Sequence, residues 1–184
     1  MTFEARSLTR DTLSDFFELH SAANGGGWCH CVAWAVPTWD GWGDRTAEEN
    51  RALREERFRD GDLDQILLYE DERPVASCQI GPRDRFPKIL AQFGLEKDAN
   101  CWAITCFFVA PDRRGRGAAR ALLEAAIEKA KSASATRLQA FPRRGEGLDA
   151  GEVWNGPEAM FAAARFRVYR DDPVRPVLQL DLGA

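Results

Sequence analysis

The chain has 184 residues, 45% of them apolar and 29% charged, which suits one domain with its own core and excludes a disordered tail protein. No apolar run approaches the ~20 residues of a membrane span, and the N-terminus lacks the apolar core of an export signal, so a cytoplasmic protein is expected. A net charge of −4 speaks against nucleic acid as a partner, and five cysteines, an odd number, speak against a disulfide framework.

Residues 2–8 alternate in character and suit a first strand. Residues 11–20 follow at helical spacing, with Leu13, Phe16, Phe17 and His20 on one face behind a Thr9 or Asp11 cap. Residues 25–45 open on three consecutive glycines and carry Trp28, Trp34, Trp39 and Trp42, so they read as an ordered aromatic loop. Thr46-Ala-Glu-Glu49 matches a capping box and opens a charged, mostly solvent-facing helix to about residue 59, ended by Gly61. The runs 65–69 and 74–80 flank a polar turn and predict a hairpin, while 81–100 reads as a loop with some local helix. The nearly continuous apolar run 101–110, stopped by Pro111, predicts a buried central strand. A helix over 116–132 presents Ala119, Leu122, Leu123, Ala126, Ile127 and Ala130 to the core. A strand at 136–141, a short helix at 157–165 and strands at 166–169 and 177–182 complete an α/β (α+β) chain. A mixed central sheet of about six to seven strands flanked by about four helices is expected.

Between the central strand and the long helix stands Pro111-Asp-Arg-Arg-Gly-Arg-Gly-Ala-Ala-Arg120. A helix N-terminus offers N–H groups without internal partners and a partial positive charge, and Gly115 and Gly117 let a pyrophosphate approach them. Arg113, Arg114, Arg116 and Arg120 add charge-assisted donors. The loop has no Gly-Lys-Ser/Thr, which disfavours a P-loop nucleotidase. It also lacks Gly-x-Gly-x-x-Gly with an acidic residue about 20 positions on, which disfavours a dinucleotide site.

Arg114-x-x-Gly117-x-Ala119 resembles the acyl-CoA pyrophosphate loop of the GNAT acetyltransferase superfamily. Met160-Phe-Ala-Ala-Ala-Arg-Phe166 resembles that family's second motif, an aromatic residue followed shortly by Gly-Phe. Trp28-Cys-His-Cys31 with Trp34, Pro82-Arg83, Cys106-Phe-Phe-Val109 and Phe141-Pro142 resemble a branch uncharacterised as to substrate. The resemblance implies one GNAT-like domain over residues 1–184, its sheet splayed at the cofactor site between the strands at 101–110 and 136–141, with acetyl-CoA as co-substrate. It implies that the backbone of Phe107, Phe108 and Val109 pairs with pantetheine, and that Arg113, Arg114, Gly115, Arg116, Gly117, Ala118, Ala119 and Arg120 hold the pyrophosphate. Asn155 matches an asparagine that contacts pantetheine in relatives, and a plain N-cap is its alternative. Trp28, His30 and Trp34 would lie toward the acceptor, because the loop after the first helix covers the substrate side in relatives.

The implied activity is transfer of an acetyl group to a primary amine of a small molecule or peptide; a homodimer is left open. An amine with a pKa near 10 must lose a proton, and a leaving thiolate with a pKa of about 8.5 benefits from a donor. The tyrosine that relatives commonly use as donor is replaced here by Phe161. His30 is a chemically suitable base, Cys106 lies where a thiol could reach the site, and Tyr169 is one of two tyrosines in the chain. Structural packing is the alternative for each. The missing tyrosine keeps a second reading open, a catalytically degenerate acyl-CoA-binding sensor. Cys29 and Cys31 keep a third, a metal or redox sensor, although His20, Cys78, Cys101 and Cys106 are too scattered to predict a zinc site.

Overall fold

The computed structural model describes residues 3–183; Thr2, within the expected first strand, lies outside them. Seven strands form one sheet: β1 (Glu4–Ser7), β2 (Asp64–Glu70), β3 (Arg73–Pro82), β4 (Cys101–Val109), β5 (Arg137–Ala140), β6 (Arg167–Arg170) and β7 (Val177–Asp181). Their spatial order is β1-β2-β3-β4-β5-β7-β6. Strands β4 and β5 are parallel, whereas the other neighbouring pairs are antiparallel. The helices are α1 (Leu13–Leu19), α2 (Ala47–Arg59), α3 (Pro87–Phe93), α4 (Ala118–Ser132) and α5 (Glu158–Ala163). The helix beyond the expected four, α3, is the local helix of the segment expected as a loop with some helix. Pro87 starts it, Ile89 and Phe93 are buried, and Gly94 at φ +54° ends it.

The capping box at Thr46 is formed in both directions, with Glu49 and Thr46 exchanging hydrogen bonds of 2.7 and 3.1 Å. The face that α2 turns inward is polar: Asn50 and Arg54 are fully buried. The β2–β3 turn places Asp71 and Glu72 at φ +48° and +61°, a primed turn without glycine.

Helix α4 covers one face of the sheet through Leu122, Leu123, Ala126 and Ala130, packed with Ile66, Cys78 and Ile104. Ala118 is buried on this face, while Ala119 and Ile127 sit at its rim. Helix α1 covers the opposite face with Phe16 and Leu19 against Leu67, Tyr69 and Cys106.

The parallel pairing of β4 with β5 spans only Cys101–Ile104 against Arg137–Ala140. Beyond it β4 runs on to Val109 while β5 has ended, so the two strands part. At the same point the β3–β4 register skips Thr105, with Ile104 opposite Ile80 and Cys106 opposite Gln79. Such an extra residue bends its strand and redirects the backbone beyond it. Among the described residues no helix is long and apolar enough to cross a membrane.

Candidate active site

The parted end of β4 forms the floor of a cleft. Antiparallel pairing alternates the direction of backbone groups. Ala110 donates to the Val75 carbonyl at 2.9 Å, so Phe108 and Cys106 also turn their backbone toward β3, whereas Phe107 and Val109 turn theirs into the cleft. Side groups already meet two of the cleft-facing atoms. The Phe107 N–H donates to the Trp154 carbonyl at 2.7 Å, and Arg114 Nε donates to the Val109 carbonyl at 3.3 Å. The Val109 N–H remains directed at the opening.

At the outer end of this floor begins α4. Its N-cap is Gly117 at φ +88°, and no side chain caps it. Ala121 is the first residue to bond back, to the Gly117 carbonyl, so the N–H groups of Ala118, Ala119 and Arg120 have no partner within the helix. Gly115 also has positive φ, +73°, and a Cβ at either glycine would meet no protein atom within 4 Å. A cavity of about 490 Å³ opens there, bounded by this loop and by Ala159 and Met160 of α5. Arg114 and Arg120 line it. Arg113 borders it too, but its guanidinium is held by Glu70 and Asp112 at 2.5 and 2.8 Å. Arg116 is exposed and lies outside that lining.

A larger cavity of about 750 Å³ extends from the same strand toward the aromatic loop. Trp28, Trp39 and Trp42 line it, as do His30, Cys106 and Arg175. Trp28 is 39% exposed; its indole N–H donates to the Arg45 carbonyl at 3.1 Å, and its carbonyl accepts from the Asn50 amide at 2.9 Å. Trp34 belongs to the core instead. It is 1% exposed, packs against Trp39, Trp154 and Phe93, and does not line the cavity. Its indole N–H donates to Asn155 Oδ1 at 3.2 Å, while Asn155 Nδ2 is buried without a partner. The residue in the N-cap position of α5 is Pro157, so Asn155 is not that helix's cap. Behind the loop, Lys88 Nζ lies 3.3 Å from the centre of the Trp39 ring and within 6 Å of Trp34 and Trp42. Burial pushes this ammonium down to about 8.

His30 is 6% exposed and its Nδ1 is buried without a partner. Burial, then the charges of His20 and Arg51, hold the imidazole below its ordinary value. The backbone of both His30 and Cys31 is left-handed, at φ +45° and +54°. Phe161 is fully buried between Phe107 and Phe166. Arg165, in the position where the second motif usually has glycine, adopts φ +68°. Tyr169 is 58% exposed on β6 and borders neither cavity, and Tyr69 is buried with its hydroxyl donating to Asp15 at 2.6 Å.

Trp154 and Arg175 carry no signal of a role in the sequence, and His20 reads there only as part of a helix face or of a scattered ligand set, yet all three line the larger cavity. Arg175 Nη1 is buried without a partner. Trp154 and Arg175 come from the irregular connections before α5 and β7, where no local pattern announces a site.

The model of the acetyltransferase (GNAT) family matches residues 16–146. No curated protein matches the sequence. Among solved structures, an N-acetyltransferase from Staphylococcus aureus Mu50 is similar with a TM-score of 0.59 and 16% identity, over 100% of each chain. The paia N-acetyltransferase from Thermoplasma acidophilum, in complex with coenzyme A, gives 0.55 and 14%, over 98% of this chain and 99% of that one. The yncA protein of Salmonella typhimurium, with its cofactor acetyl-CoA, gives 0.57 and 16%, over 98% and 94%. At such identities the likeness speaks for the fold.

Proposed function

The chain belongs to the GNAT acetyltransferase family, and from that premise we propose that it transfers an acetyl group from acetyl-CoA to the primary amine of a small molecule with an apolar body and an anionic group. The observation that carries this reading is the parting of β4 from β5 directly beside the uncapped start of α4. The residues fit the cofactor: Gly115 and Gly117 leave open the space that side chains would fill, and the free N–H groups behind them suit a pyrophosphate.

Acetyl-CoA supplies the acyl group as a thioester. The N–H groups of Ala118, Ala119 and Arg120, with the guanidinium groups of Arg114 and Arg120, hold its phosphates. With the Phe107 N–H held by Trp154 and the Val109 carbonyl by Arg114, the Phe107 carbonyl would accept from the pantetheine arm, and the Val109 N–H would be the donor toward the thioester carbonyl as negative charge gathers there. His30 accepts a proton from the acceptor ammonium. Its depressed pKa keeps the imidazole neutral at pH 7, as a base must be.

The wall chemistry narrows the acceptor. Trp28, Trp39 and Trp42 offer indole surface, while His20, His30, Arg114 and Arg175 are basic; among the described residues no aspartate or glutamate lines the cavity. A polyamine would find no counter-charge there, whereas a carboxylate would be met by the guanidinium groups of Arg114 and Arg175. Release of free CoA, measured against aromatic amino acids and polyamines, tests the assignment, with turnover expected for the amino acids. Acetyl-CoA binding without CoA release across a broad amine panel would replace the enzyme by an acyl-CoA sensor.

A further inference from the structure

One cluster on the acceptor side is unused by this chemistry. Cys31, from the aromatic loop, and Cys106, from β4, place their sulfur atoms 3.1 Å apart. Both are buried, at 3% and 7% exposure, yet both border the larger cavity. His20 Nε2 lies 3.7 Å from Cys31 Sγ and 2.9 Å from Ser77 Oγ, and the Gln65 amide lies 4.0 Å from the same sulfur. Beneath them Arg54 is fully buried on the Phe16 ring. It donates through Nη2 to Gln65 at 3.0 Å, and its Nε and Nη1 have no partner.

A buried guanidinium requires a counter-charge. Among the described residues no carboxylate pairs with Arg54. The acidic groups that its charge reaches are the thiols of Cys31, Cys106 and Cys29. The close sulfur contact lets one thiol keep its proton and donate it to the other, and the surrounding nitrogen groups choose Cys31 as the acceptor, because His20 Nε2 and the Gln65 amide both face its sulfur. The Cys106 thiol, then His20 and Arg54, hold Cys31 well below an ordinary thiol, and the same contact pushes Cys106 up. Cys29 stays protonated, raised to about 11 by burial and by the Cys31 charge.

We propose that Cys31 and Cys106 are a peroxide-oxidised pair, with Cys31 the attacking thiolate and Cys106 the thiol that resolves it. The Cys31 thiolate attacks one oxygen of hydrogen peroxide; the O–O bond breaks, hydroxide leaves and Cys31 becomes a sulfenic acid. The Cys106 sulfur then attacks the Cys31 sulfur and gives up its proton, and the sulfenic hydroxyl leaves as water. Two electrons pass from the sulfur pair to the peroxide, and a disulfide remains. Closing 3.1 Å to the ~2.05 Å of that bond requires movement of about 1 Å, which falls to the irregular loop rather than to β4. Oxidation also removes the counter-charge of Arg54 and shifts the segment that carries Trp28 and His30. The α4 cradle lies outside the moving part. Slower acyl transfer with acetyl-CoA binding retained is the consequence, and this consequence alone rests on the function proposed above.

The fully reduced protein, treated with a few equivalents of hydrogen peroxide and blocked with N-ethylmaleimide in denaturant, reads the pair directly. Free thiols fall from the five of the reduced chain to three, the mass before blocking falls by two hydrogens, and one cross-linked peptide joins Cys31 to Cys106. Dithiothreitol restores all five. In Cys106→Ser the reaction stops at a sulfenic acid on Cys31 that dimedone traps. Arg54→Leu moves the pH midpoint of the oxidation upward, because the Cys31 thiolate loses a cation that helps to hold its pKa down. First modification at Cys29, a Cys29–Cys31 bridge, or five intact thiols after excess peroxide would each overturn the proposal. None of these readings needs cofactor or acceptor, so failure here leaves the acyltransferase reading standing, and failure of acyl transfer leaves the disulfide standing.

Discussion

The two ends of the cleft are built by opposite means. The cofactor end is backbone: two left-handed glycines, three unpaired N–H groups and one strand edge, within about a dozen consecutive residues. The acceptor end is side chains, drawn from the cap that follows α1, the aromatic loop, β4 and the connections before α5 and β7. A backbone device tolerates exchange of most side chains around it and fails when its dihedrals are blocked. A side-chain wall responds residue by residue, and its members divide into those that touch the cavity and those that hold the wall up.

The largest effect should come from blocking the backbone device. Gly117→Val puts a β-branched residue at φ +88° and a side chain where phosphate must approach, so acetyl-CoA binding, read as a thermal shift, should be lost. Gly61→Val is the matched control. It has φ +70° and equally open space, but follows α2 away from the cradle. Both variants should lose about 1–2 kcal/mol of stability from left-handed strain, and the control alone should keep its affinity. Equal cofactor shifts in the two variants would remove the pyrophosphate from α4.

Next in size is the split between two tryptophans of one loop. Trp34→Ala empties a core site and should cost about 3–5 kcal/mol in chemical denaturation. Trp28→Ala removes a half-exposed cavity wall, so stability should change far less while the acceptor KM rises and that for acetyl-CoA holds. A stability loss without a KM change at Trp28 would turn the acceptor wall into ordinary loop packing.

This split also explains what could be read from the residues alone. The seven strands, the long helix and the glycine loop were legible because each announces itself by local periodicity or by residues adjacent in sequence. Over 81–100 the sequence announces only some local helix, and the bounds of α3 stay hidden because its buried Ile89 and Phe93 are too few to mark a face among the polar residues around them. Trp28 and Trp34 look alike in sequence and differ only in tertiary packing. The inward face of α2 was hidden for a related reason: Asn50 and Arg54 are polar, and burial of polar side chains is decided by partners distant in sequence. The left-handed turn of the second motif was masked because Arg165 adopts it in place of glycine.

A smaller effect is expected from acid. His30 is held below its ordinary pKa in the folded state by burial and by the charges of His20 and Arg51. Below about pH 6.5 the unfolded chain therefore binds a proton that the folded chain still refuses. Stability should fall as pH drops from there toward the depressed folded value and then level off. His30→Asn, whose side chain tolerates the left-handed backbone, should flatten that slope. It should also remove the acid limb of kcat/KM if His30 takes the acceptor proton. An unchanged acid limb with a flattened stability slope would leave His30 structural and move the base elsewhere.

The smallest effects should come from the two tyrosines. Tyr169 is exposed on β6, and Tyr169→Phe should change stability by less than about 0.5 kcal/mol and leave kcat alone. The Tyr69 hydroxyl is engaged with Asp15, and burial followed by that hydrogen bond raises its pKa, which makes it a poor proton source. Tyr69→Phe should therefore cost about 1 kcal/mol of stability and little rate. Positioning of two reactants can lower a barrier by about 7–11 kcal/mol, whereas a proton donor adds about 10²–10⁴-fold in rate. A cleft with buried Phe161 at the usual donor position can thus turn over on alignment and backbone polarisation, with a thiolate that leaves tolerably near neutral pH. A hundredfold fall in kcat for either tyrosine variant, with stability and acetyl-CoA binding intact, would identify that tyrosine as the acid and show that side chains, not backbone, finish the reaction at the cofactor end.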